Sequence, residues 1–132
     1  MSVYKRRPES FNELIAPFSK EIRTVTLALR RMIREVLPNA DENIYGGLMV
    51  AQALYSIGGP AKVVCGIQPD KIQCRLFLHN VADVKLRGIK IEGTGKHARH
   101  VKVKELNKEN KKALVRLIGE AFKRSRPAKT GG

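Results

Sequence analysis

The spacing of apolar positions changes period twice along the chain. From about Ser19 to Leu37, Ile22, Val25, Leu29, Met32, Ile33 and Val36 recur at steps of three and four, which predicts a helix with one buried stripe that Pro38 closes. Its other face carries Lys20, Arg23, Arg30, Arg31 and Arg34. Upstream, Ser10-Phe11-Asn12-Glu13 has the spacing of a capping box and predicts a short helix ending before Pro17. The period then shortens: "ENIYGGLMV", "AQALYSI", "KVVCGIQ" and "KIQCRLFLH" are short runs with β-branched or aromatic residues, separated by Gly-Gly-Pro and Pro-Asp turn signals. They read as an antiparallel meander. If Pro69 and Asp70 form a two-residue loop between Gln68 and Lys71, Cys65 and Cys74 face each other across the strands.

A further strand, about His97 to Lys104, is expected to set Arg99, Val101 and Val103 on one face and His100, Lys102 and Lys104 on the other. The helical period returns from about Lys108 to Arg124. Asn107 stands as N-cap, and Leu114, Leu117, Ile118, Ala121 and Phe122 form the stripe. The economical arrangement is an α+β two-layer sandwich: a mostly antiparallel five-stranded sheet with N-terminal and C-terminal helices packed on one face. The outer face is expected to be partly polar, with Gln73 and Arg75 opposite Ile72, Cys74, Leu76 and Leu78, although Phe77 interrupts it. A single domain over 10–124 follows, with flexible tails over 1–9 and 125–132.

Composition sharpens this reading. A chain of 132 residues suits one core, and its 42% hydrophobic content includes no run of eighteen apolar residues that would span a bilayer. "MSVYKRRPES" lacks the apolar stretch of a secretory signal, and two cysteines fit a reducing compartment, so a cytoplasmic location away from membranes is expected. Lys and Arg number 26 against 12 Asp and Glu, a net charge of +14. That excess favours polyanions, because neutralising phosphates releases condensed counterions.

The stretch "EGTGKHARHVKV" concentrates the candidate chemistry. It is no P-loop, since the residue five before Gly95 is Lys90 and His97 follows Lys96. Gly93-Thr94-Gly95-Lys96-His97-Ala98 fits Gly-x-Gly-x-x-Ala, but an alternating strand follows where a dinucleotide site needs a helix N-terminus. His97 and His100 point to opposite faces of a strand, and neither Cys-x-x-Cys nor His-Glu-x-x-His occurs, so no metal site is assigned from His79, His97, His100, Cys65 and Cys74. No nucleophile stands beside a base and no paired carboxylates are visible, so neither a catalytic residue nor a cofactor is assigned.

Charge distribution says more. From Lys85 to Lys104 the chain holds Lys85, Arg87, Lys90, Lys96, Arg99, Lys102 and Lys104 against the single acid Glu92. With His100, these residues other than Arg99 are the candidate anion- or nucleic-acid-binding set, able to track a phosphate backbone. Arg99, on the face expected to meet the helices, should be partly buried and paired with Glu42, Glu92 or helix-end carbonyls. Gly93 or Gly95 is expected to supply a backbone conformation closed to other residues, with Lys96 exposed.

"EGTGKHARHVKV", preceded by "LFLHNVADVKLRGIKI" and "LRRMIREVLPNADENIYGG", resembles the YdhG-like family, a small bacterial domain of unknown function. The resemblance runs from about Phe11 to Lys123 and is most specific at Gly93, Thr94, Gly95, Lys96, Arg99 and His100, with a weaker match at Pro38, Glu42, Tyr45 and Gly46. It implies an α+β two-layer fold with terminal helices around an antiparallel sheet. It also implies kinship with frataxin-like proteins, some of them described as intracellular iron chaperones. Iron handling of that kind needs clustered oxygen ligands, whereas both helices here are basic. The expectation is therefore a non-enzymatic domain that binds a polyanion such as nucleic acid, with frataxin-like metal handling as the alternative.

Overall fold

The computed structural model describes residues 4, 6–47 and 50–125. Helix α1 (Phe11–Ile15) starts where Ser10 Oγ accepts a hydrogen bond from the Glu13 amide at 3.1 Å. The returning arm of the capping box lands one residue early, since Glu13 Oε1 accepts from the Glu9 amide at 2.9 Å. Helix α2 (Lys20–Val36) is capped by Ser19, and the Leu37 amide closes its last turn on the Ile33 carbonyl before Pro38. Helix α3 (Lys108–Ser125) opens on a reciprocal cap in which the Asn107 and Asn110 side chains each accept the other's amide.

Between the helices lie β1 (Asp41–Gly46), β2 (Ala51–Ser56), β3 (Val63–Pro69), β4 (Cys74–His79) and β5 (Ala98–Val103). They form one antiparallel sheet whose spatial order is the chain order. The fold is α+β, as the periodicity predicts. Tyr55, Cys65, Ile67, Leu76, Leu78 and Val101 point inward and join Leu14, Leu29, Ile33, Leu114, Leu117 and Ile118 in one core, so the helices share one face of the sheet. Among the described residues no helix is long and apolar enough to cross a membrane.

A polar network ties four elements together beside this core. Glu42 of β1 accepts two hydrogen bonds from Arg30 of α2, both 2.8 Å, and one from the buried Tyr55 hydroxyl of β2 at 2.6 Å. The same guanidinium lies 4.3 Å from the ring centre of Phe11 in α1. Burial pushes the Glu42 carboxyl up, but the bonds from Arg30 and Tyr55 and the charges of Arg30 and Arg34 outweigh it and hold the carboxyl below its ordinary value.

Three expectations need correction. The first is the hairpin loop, which comprises residues 70–73: Asp70 Oδ1 accepts from the amides of Ile72 and Gln73, and Pro69 pairs with Cys74. Cys65 therefore faces Leu78, four residues beyond the expected partner. An even shift of register keeps every side chain on its own face, which is why Cys74, Leu76 and Leu78 are buried as expected while the thiols stand apart. The same loop reverses its own members, with Gln73 buried and Ile72 exposed. The second concerns the expected N-terminal tail, in which Tyr4 and Pro8 are buried while residues 6, 7 and 9 are exposed. Tyr4 is buried and donates its hydroxyl to the Leu14 carbonyl at 2.9 Å, and Arg6 pairs with Glu13. Residues 1–3, 5 and 126–132 of the expected tails lie outside the described residues, and Ser125 ends α3. The third is Arg99, which bonds within its own loop and not to the helices or to Glu42.

Candidate functional site

The connection from β4 to β5 runs from 80 to 97 and carries most of the expected anion-binding residues. It begins at Asn80, in the left-handed region at φ 63°, and its far end is tied by the Asn80 amide to the His97 carbonyl at 2.7 Å. Midway, Glu92 pairs antiparallel with His100: the Glu92 amide donates to the His100 carbonyl at 2.8 Å, and the reverse bond is 2.9 Å. Residue 92 thus adds one rung to the free edge of β5.

The Gly-Thr-Gly corner follows. Gly93 has φ +109°, a conformation that other residues rarely adopt, and a Cβ on Gly95 would come 2.9 Å from the Ala98 carbonyl oxygen. Both glycines are needed, one for its dihedral angle and one for a close approach. Lys96 is exposed as expected. Arg99 is partly buried, as expected, but its partner differs: its Nε donates 2.6 Å to the Gly95 carbonyl, across its own loop at the sheet edge. Of the expected carboxylate partners, Glu42 is taken by Arg30 and Tyr55, and Glu92 by Lys102. Short-range closure wins because the guanidinium reaches a carbonyl four residues back without being desolvated.

The expected basic set divides. His100 and Lys102 do share the outer face of β5, and there they meet Arg75 of β4, since Arg75 pairs with Lys102 and Phe77 with His100. Glu92 stands on the same face, 3.6 Å from Lys102 Nζ. Lys104 lies past the end of β5, beside Lys20 and Thr24 of α2. Lys85 goes with α3, in a groove of about 430 Å³ shared with Arg116, Lys123 and Arg124. Arg87, Lys90 and Lys96 are exposed along the connection. Among the described residues, Lys85, Arg87, Lys90, Lys96 and Lys104 have no carboxylate partner, whereas Arg75 faces Asp70, Arg124 faces Asp83 and Glu120, and Arg34 faces Glu42.

The expected binding set leaves out three members of this surface. Phe77, which looked like a break in the pattern, is an outward residue of β4 whose ring centre lies 5.5 Å from that of His100. Arg75 projects beside it, and Tyr45 stands on the same face of β1, opposite Gln52. The signal was present in the alternation Arg75-x-Phe77-x-His79, once the inward set Cys74, Leu76 and Leu78 is taken as its complement.

Burial, then the charge of Arg75, pushes His100 below the ordinary imidazole value, so it is neutral at pH 7. His79 is lowered by burial and by nearby His97. Burial pushes the Cys65 and Cys74 thiols up to about 12, which leaves both unreactive as nucleophiles near neutrality. Among the described residues no three His, Cys, Asp or Glu side chains come together to hold a metal ion. No protein-family model, curated protein or solved structure matches the chain.

Proposed function

We propose that this is a YdhG-like domain that works by binding rather than by catalysis, and that its partner is a polyanion, nucleic acid in particular. One observation carries the reading: the connection from 80 to 97 exposes Lys85, Arg87, Lys90 and Lys96 without a carboxylate partner among the described residues, next to a sheet face bearing Arg75, His100 and Lys102. Cations unpaired within the protein keep their counterion-releasing capacity for a ligand. The basic outer faces of α2 and α3 extend the same field. The frataxin-like alternative has no oxygen-ligand cluster among the described residues to support it.

The test is fluorescence anisotropy of labelled DNA and RNA over a series of salt concentrations. Binding with a Kd of about 1 µM or tighter at physiological salt is expected. Replacing Lys85, Lys90 and Lys96 together by Ala should weaken it and reduce the slope against log salt by about 0.9 for each duplex phosphate no longer neutralised. Association seen only at low salt and indifferent to these substitutions would overturn the proposal.

A further inference from the structure

The face of the sheet turned away from the helices has an order that a generic basic surface lacks. Its central row crosses all five strands: Asn43 opposite Leu54, Leu54 opposite Gly66, Gly66 opposite Phe77, and Phe77 opposite His100. Gly66 contributes no side chain, and Leu54 fills that space so closely that a Cβ there would come 2.6 Å from its Cδ2. An apolar and aromatic strip results. Beside it, Tyr45 stands opposite Gln52, Gln68 opposite Arg75, and Arg75 opposite Lys102, a row of amides and cations with Tyr45 38% exposed at its end.

We infer that the ligand of this face is a single-stranded nucleic acid, its bases stacked on Phe77 and Tyr45 and its phosphates met by Arg75 and Lys102. The inference rests on the polyanion reading above and names its substrate. A duplex hides its base faces in its own stack and would lay sugars and phosphates on the Leu54 and Phe77 strip, desolvating them without compensation. An unpaired strand offers base faces for aromatic stacking, base edges for the Gln52 and Gln68 amides, and phosphates for the cations. Tyr45 and Phe77 are three strands apart, about 14 Å at the usual strand spacing, so each can take a separate base with intervening nucleotides over the glutamines.

Charge on the face agrees. The Arg75 Nε is sealed from solvent and makes no hydrogen bond, its nearest carboxylate oxygen, on Asp70, being 3.7 Å away. Asp70 itself is occupied by the amides of the 70–73 loop, and Glu92 faces Lys102, so neither acid opposes an incoming phosphate without a cation or donor already beside it.

The experiment compares short labelled single strands and duplexes, of DNA and of RNA, on the full chain and on Phe77→Leu, Tyr45→Ser and the Lys85, Lys90 and Lys96 triple Ala variant. A 2-aminopurine base in the single strand reports stacking directly. Single strands are expected to bind at least tenfold more tightly than duplexes at equal salt. Phe77→Leu and Tyr45→Ser should each cost roughly tenfold in single-strand affinity with the salt slope unchanged, because stacking releases no counterions. Tyr45→Ser, at an exposed edge position, keeps the test decisive if Phe77→Leu fails to melt cooperatively. Equal affinity for single strands and duplexes, or unchanged single-strand binding in both aromatic variants while the lysine variant is weakened, would overturn the inference and leave the polyanion reading standing. No binding to any probe at physiological salt would overturn both.

Discussion

Replacing Tyr55 by Phe removes one oxygen from the network that joins α1, α2, β1 and β2. The ring is 1% exposed and stays in place, so the change isolates the 2.6 Å hydrogen bond to Glu42 from packing. A hydrogen bond to a charged group contributes about 1.5–3 kcal/mol. Glu42 keeps both bonds from Arg30 and is not orphaned, which places the expected loss near 2 kcal/mol, at the lower end of that range. For a chain of this length that corresponds to a Tm lower by about 6–10 °C. Urea titration should show a midpoint lower by about 1 M with m unchanged. The Glu42 carboxyl is held below 4.5 in the folded state, so its contribution is complete above that pH and lost as pH falls through the depressed folded value. With Phe at 55 the folded value rises toward the unfolded one, so the loss on acidification becomes smaller, and Glu42→Gln should flatten the same limb further. A loss below about 0.5 kcal/mol, or additivity of Tyr55→Phe with Glu42→Gln, would refute the network account, because partners in one hydrogen-bonded unit must couple.

Gly93→Ala is expected to lose about 1–2 kcal/mol by chemical denaturation, since φ +109° strains any residue with a Cβ. A thiol reagent at pH 8 should leave Cys65 and Cys74 unmodified in the folded protein and titrate both after unfolding, and a fast-reacting thiol in the native state would contradict their burial. Polyanion affinity at constant ionic strength should rise once pH falls below the ordinary imidazole value, because His100 then gains charge beside Arg75 and Lys102 and opposite Glu92. His100→Gln should reduce that rise.

The fold was legible because its signals are local. The stripe of α2, the caps at Ser10 and Asn107, and the alternation of β5 each declare an element without reference to the rest of the chain. The loop at 70–73 was misread because Asp70 uses its side chain to replace backbone bonds, which a dipeptide rule for hairpins does not register. Arg99 was misplaced for the opposite reason: a long-range partner was sought where a carbonyl four residues away sufficed. Of the site, the cations could be named from the chain, but their separation into a sheet face, a connection and a helix groove depends on which elements pack together. Phe77 could be set on the outward face from the chain, but its contact with the His100 ring depends on how β4 and β5 pair.

The sheet has the same order in space as along the chain, and that bears on how the molecule assembles. Three of its four strand pairings close over short turns, which carry little loop-closure entropy and form early. The core does not share this locality. Helix α3, made after every strand, packs on β3 and β4 and against α2, so during synthesis Ile67, Leu76 and Leu78 lack part of their cover until Leu114, Leu117 and Ile118 emerge. Docking of α3 is therefore the expected slow step. Leu117→Ala should lower the folding rate in proportion to its loss of stability, while a change confined to the 70–73 turn that leaves the folding rate intact and speeds only unfolding would show strand pairing to be late instead.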